Sequence, residues 1–225
     1  AIPGSVRARA SIDFLIKEIN NFSKDKREID SIYIGGGTPS LLSTKLLEKL
    51  IESKAELIQQ KPGLCGIYEQ IEIAGRTCYK SEGKMAENHK AFVDRMIKSK
   101  HYAMLEHGTV YLWNPVDSCD FQAIRDKYSA NKYSEVRADG QAITTNYRVI
   151  IENGWEDDLY MLIDEPTEYH AKRITMRFTC DRGISHELVR HRVFSFAQES
   201  TRYCNYSKCK FGGEITYILP TFLRS

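Results

Sequence analysis

At 225 residues, with a net charge of +2, 42% hydrophobic and 28% charged residues, the chain is long enough for one mid-sized domain or two small ones without covalent staples. The composition excludes bulk disorder, and the near-neutral balance, with a pI of about 8.2, argues against a dedicated nucleic-acid binder, so anion binding must be local. No apolar run approaches the roughly 20 residues that span a bilayer, no signal-length apolar stretch follows Ala1–Ser11, and six scattered cysteines read as reduced thiols; together these predict a soluble, cytoplasmic protein with no membrane partner.

In chain order, Ile12, Leu15, Ile16 and Ile19 follow helical spacing behind Ser11. The apolar run Ser31–Ile34 predicts a buried parallel strand, ended by Gly35, Gly36 and Gly37, and Leu46, Leu47, Leu50 and Ile51 predict a second helix capped by Ser43. About sixty residues cannot supply the neighbours that such a strand needs, so 1–60 reads as an orphan α/β segment, with the boundary at Gln59–Gly63. Beyond it, Ile67, Ile71, Ala74 and Cys78 share one helical face, and Phe92, Val93, Met96 and Ile97 share another. Val110–Trp113 reads as a strand, and Asp117–Asn146 is too polar and irregular to assign. Ile174, Met176, Phe178 and Cys180 alternate with Thr175, Arg177 and Thr179, predicting a strand that buries its apolar face. Asp181–Gly183 turns the chain, and Ser185 caps a helix through Leu188 and Val189. Cys78, Cys119 and Cys180 read as core or semi-buried thiols. The fold class is α+β.

The chemistry concentrates in residues 185–203. His186 and His191 are five apart, which places them about 140° apart around a helix, whereas metalloprotease histidines are four apart and share a face, so no metal site is expected. Cys204 and Cys209 complete no recognised ligand spacing. Arg190, Arg192 and Arg202, with Gln198 and Ser200 between them, are the donor types that bind a nucleotide phosphate. The same residues also suit a solvated basic turn making surface ion pairs. Ser200 has no evident base beside it and reads as a binding group rather than a nucleophile.

Arg190-His191-Arg192, seven residues and then Ser200 is similar to the RHRx7S signature of flavin-dependent thymidylate synthases, within the run SHELVRHRVFSFAQESTRYCNYSK. Upstream, Gly75–Ser81 resembles the end of that family's first helix. His101 with Leu105-Glu106-His107-Gly108-Thr109 resembles its GHxSxLEHGT element, with Lys100 and Ala103 where glycine and a hydroxyl residue are usual. The resemblance implies helices packed on an antiparallel sheet over residues 61–225, a homotetramer, and reductive methylation of dUMP to dTMP. Methylenetetrahydrofolate would be the carbon donor, and FAD, reduced by NADPH, the hydride carrier. It implies FAD binding by Arg190, His191, Arg192, Gln198, His101 and Glu106, and dUMP binding by Glu187, Arg190, Gln198, Glu199, Ser200 and Arg202. It also implies that the family's catalytic arginine lies beyond Ser225, so that 61–225 is a C-terminally incomplete domain with impaired turnover.

The run IDSIYIGGGTPSLLSTKLLEKL, Ile29–Leu50, resembles a strand, glycine loop and helix of radical-SAM enzymes related to oxygen-independent coproporphyrinogen oxidase. No cysteine precedes Cys65, so the cluster motif of that family is absent. The expectation is a composite chain. Two alternatives stay open: a fragment of a radical-SAM porphyrin-pathway enzyme, or a nucleotide-binding module without catalysis.

Overall fold

Two units emerge in the computed structural model, which describes residues 32–34, 40–42, 50–85, 87–191, 193–199 and 217–219. One comprises 1–55 with 178–190 and 215–225, the other 56–177 with 191–214. In the first, β1 (Ile32–Ile34) pairs antiparallel with β2 (Ser40–Leu42), Tyr33 opposite Leu41. β3 (Leu50–Glu52) runs parallel to the last described strand, Tyr217–Leu219. Two expectations are thereby corrected: Ile32–Ile34 lies in an antiparallel pair, and Leu50 and Ile51 belong to a strand instead of a helix. A short apolar run fits both periods, and the partner that decides for a strand lies far along the chain. The helix expected at 12–19 and the glycines 35–37 lie outside the described residues.

The larger unit begins at Glu56, within β4 (Lys54–Ile58), and continues into α1 (Gly63–Cys78), which Pro62 and the left-handed Gly63 lead into. Ile67, Ile71 and Ala74 are buried on one face of α1, and α2 (His89–Lys98) buries Phe92, Val93 and Met96 against it. Both helices stop in the same way. Ser81 N–H donates to the Arg76 carbonyl and Lys80 N–H to Thr77, while His101 N–H donates to Met96 and Lys100 N–H to Ile97. These crossed bonds demand a left-handed residue, normally glycine, yet Lys80 (φ 47°) and Lys100 (φ 57°) occupy it.

A turn over 102–107 delivers β5 (Thr109–Trp113), the edge of a three-stranded antiparallel sheet. The stretch 117–146, to which the sequence pattern assigns no element, is ordered: α3 (Phe121–Ser129), β6 (Glu135–Arg137) and β7 (Ala142–Asn146), followed by α4 (Tyr147–Asn153). Its signal is weak because α3 buries only Ile124 and Tyr128, and because β7, central in the order β5-β7-β6, is buried on both faces although three of its residues are polar. Asn146 accepts from Val149 N–H at 3.1 Å and so caps α4. Helices and sheet meet in one core containing Ile67, Ile71, Phe92, Leu105, Val110, Leu112, Ile143 and Ile150, an α+β arrangement.

At the start of β5, Gln60 copies a strand: its side chain accepts from Thr109 N–H at 2.9 Å and donates to the Thr109 carbonyl at 2.8 Å. Glu72, fully buried, accepts from Arg76 Nη2 at 2.7 Å and lies 2.8 Å from His89 Nδ1, so its charge is compensated where solvent does not reach.

β8 (Thr175–Thr179) forms where expected but with its faces reversed: Ile174, Met176 and Phe178 are exposed, and the Thr175, Arg177, Thr179 face is half-covered. Arg177 Nε donates to Glu56 on the partner strand β4 at 3.2 Å, which commits the polar face inward. α5 (Arg182–Leu188) is capped by Asp181, whose Oδ1 accepts from Gly183 and Ile184, and Ser185 lies inside the helix. Asp181–Gly183 therefore starts the helix, and β9 (Tyr217–Leu219) closes the described chain. Cys119, expected to be covered, is exposed, while Cys78 and Cys180 are half-buried. Among the described residues no helix is long and apolar enough to cross a membrane.

Two substitutions test these helices with opposite signs. In an open helix Gly→Ala gains about 1 kcal/mol, but a Cβ at Gly75 would lie 2.5 Å from Cζ of the buried Phe92. Gly75→Ala is therefore expected to lose about 1–3 kcal/mol in chemical denaturation. Lys100→Gly removes the left-handed Cβ contact and is expected to gain up to about 1 kcal/mol in the same measurement.

Candidate functional site

The residues singled out from the sequence fall in both units. In the first, α5 carries Glu187 and leads to Arg190, whose Nη1 donates to the Glu187 carboxylate at 2.9–3.0 Å. Both side chains are about 70% exposed (73% and 69%), so this pair contributes only a few tenths of a kcal/mol and holds the guanidinium loosely. Asp181 Oδ2, at the other end of α5, is buried without a hydrogen-bond partner, and the neighbouring Cys180 thiol is pushed up by burial and by the Asp181 charge.

In the second unit, residues 191 and 193–199 form an irregular run. His191, Gln198 and Glu199 are exposed. Ala197 packs against the core, while Val193 and Phe194 stand out at 86% and 66% exposed. Glu199 meets Lys80 at 3.3 Å. Arg192, Ser200 and Arg202, three of the expected anion-binding groups, lie outside the described residues, as do Cys204 and Cys209. Among the described residues no three His, Cys, Asp or Glu side chains converge as a metal site would require.

His101 and Glu106 flank the 102–107 turn. The His101 ring stacks on Tyr79 with centroids 5.9 Å apart and an interplanar angle of 18°, and its Nδ1 hydrogen-bonds with the Tyr79 hydroxyl. Since Tyr79 ends α1 and His101 follows α2, this contact joins the two helix ends. Glu106 accepts from Arg148 Nη1 at 2.6 Å through Oε1 and from Ser195 Oγ at 2.7 Å through Oε2. Arg148 also donates to Glu152 at 2.9 Å, one helical turn on. Glu106, Arg148, Glu152, Asn146 and residues 193–195 line a cavity of about 100 Å³. Sequence reasoning misses Arg148 because it follows directly on the polar stretch 117–146; its i,i+4 spacing to Glu152, just after the cap Asn146, is the available signal.

Next to Glu106, His107 is largely buried, and its Nε2 has no hydrogen-bond partner. Burial holds this imidazole below the ordinary histidine value, opposed by the Glu106 charge and a hydrogen bond with the Phe196 backbone. The native state thus takes up fewer protons than the unfolded chain just below pH ~6.5. The stability contribution of neutral His107 is full above that pH and is lost as pH falls through it. Thermal melts of the wild type and His107→Gln between pH 7.5 and 5 are expected to diverge, the wild type losing more, with a slope difference of at most about 1.4 kcal/mol per pH unit. Parallel curves would refute this.

Residues 122–224 match the family model described as thymidylate synthase complementing protein. No curated protein and no solved structure matches the chain. The match contains Arg190, His191, Arg192 and Ser200 in their signature spacing and begins after the Gly75–Ser81 and Leu105–Thr109 runs. It lends no support to the radical-SAM resemblance of the first sixty residues. For the segment it covers, it supports a thymidylate synthase-related function.

Proposed function

We propose that this chain belongs to the machinery of reductive thymidylate synthesis, converting dUMP to dTMP. The observation that carries this reading is the family match over 122–224, which contains the RHRx7S spacing. When bound, FAD supplies a hydride received from NADPH, and methylenetetrahydrofolate is the one-carbon substrate. The described donors fit such groups by their chemistry: a largely exposed guanidinium at Arg190, an exposed imidazole at His191 and an exposed amide at Gln198.

In this reading Arg202 and Ser200 hold the dUMP phosphate, with Glu187, Gln198 and Glu199 as further polar contacts. Arg190 and Arg192 place positive charge where reduction adds negative charge, and His191 and Gln198 hydrogen-bond the flavin side of the site. His101 and Glu106 border that side; both already have protein partners, Tyr79 for one and Arg148 with Ser195 for the other. A domain over 61–225, a cytoplasmic location and a homotetrameric assembly complete the proposal.

Calorimetry with dUMP, alongside visible absorbance after addition of FAD, tests it. The expected result is a yellow protein that binds dUMP, with Arg202→Ala weakening dUMP binding about ten- to a hundredfold, the worth of one charge-assisted pair. Absence of dUMP binding in the presence of FAD would overturn the reading, and dUMP binding without retained flavin would favour a nucleotide-binding module.

A further inference from the structure

The segment 193–199 is only partly covered: Val193 and Phe194 are 86% and 66% exposed, Phe196 is 36% exposed and meets Phe194 edge-on, and Ala197 packs against the core. Ordering each backbone residue costs about 1–2 kcal/mol, so polar anchors have to add to this limited burial. These anchors lie in the two upstream runs that precede the family match. Ser195 Oγ donates to Glu106 Oε2 at 2.7 Å. His107, one residue on, hydrogen-bonds with the backbone of Phe196, one residue on. Lys80, at the left-handed end of α1, meets Glu199 at 3.3 Å.

Of these, the Glu106 contact is the strongest in kind. A hydroxyl donating to a carboxylate makes a charge-assisted bond, and the second carboxylate oxygen is pinned by Arg148 at 2.6 Å, itself tied to Glu152. The carboxylate is thus held from two sides, whereas the Lys80–Glu199 pair, exposed to a similar degree (27% and 41% against 36% and 28% for Arg148 and Glu106), is a single and longer contact at 3.3 Å. A flavin contact by Glu106 would have to draw on oxygens already engaged with Arg148 and Ser195.

We propose that Glu106 is a positioning residue: backed by Arg148, it latches Ser195 and so sets the backbone that presents Gln198 and Glu199 and leads into Ser200. The inference rests on the reading of that stretch as the dUMP site for its purpose, but not for its geometry.

Hydrogen–deuterium exchange of the ligand-free full chain, followed in peptides spanning 193–199, measures the latch directly. Ser195→Ala and Glu106→Ala are each expected to raise exchange there about tenfold, the equivalent of one hydrogen bond to a charged group. The double variant should exchange no faster than either single one, because both remove the same bond. Ser195→Thr, which keeps the hydroxyl, should restore slow exchange. In calorimetry, dUMP affinity should fall about tenfold in the two alanine variants and recover in Ser195→Thr, with the melting temperature of Ser195→Ala unchanged. Unaltered exchange in Ser195→Ala would overturn the latch. Faster exchange with unaltered dUMP affinity would overturn its role at the site. If the wild type binds no dUMP, the nucleotide reading fails, and the exchange pattern alone still decides whether Glu106 latches the segment.

Discussion

The larger unit depends on how closely α1 approaches the backbone at Gly108. A Cβ there would lie 2.8 Å from both Ile67 Cγ2 and Ile71 Cδ1, so only glycine lets the helix settle onto the chain at this height. The Gly108 carbonyl accepts from Tyr147 N–H at 2.8 Å, which brings in the start of α4. Thr109 opens β5 with both backbone groups satisfied by Gln60. On the other side, Glu106 and His107 face the 193–199 segment. One close contact thus fixes where helix, sheet and candidate site meet, and the buried Glu72 with Arg76 and His89 stiffens the helix that makes it.

That arrangement also explains why burial and polarity are intermixed around the site. The covered position of His107 depresses its basicity, and Tyr147, which bonds the Tyr68 hydroxyl at 3.2 Å, is held above the ordinary tyrosine range by burial first and that hydroxyl second. Arg190, in the smaller unit, and His191 and Gln198, in the larger, are exposed.

What can be read from the sequence follows physical strength of pattern. α1 and α2 are legible because each buries one clean stripe, and β5 because Val110, Tyr111, Leu112 and Trp113 form a short apolar run rich in β-branched and aromatic residues. β7 is not, since Thr144 and Thr145 are buried in it by tertiary surroundings that no local window contains. The faces of β8 come out reversed because alternation says which residues share a side but not which side is covered; Glu56 on the neighbouring strand settles that. Of the site, the arginine-rich run is visible as a motif, whereas the Glu106–Arg148–Ser195 triad joins residues 42 and 89 positions apart and needs the fold.

The two lysines at the left-handed helix ends look alike but are not equivalent. Each places a Cβ where glycine would be relaxed, yet Lys80 also extends a charge to Glu199, beside the signature segment. At that end of the fold, conformational ease and reach compete for one position, and the sequence has settled for reach. Selection for a stiffer scaffold alone would replace Lys80 with glycine and release Glu199 from this contact, whereas Lys100 can be relaxed without touching that segment. Thermal robustness and order at the candidate site are therefore separable by design in this chain, one helix terminus at a time.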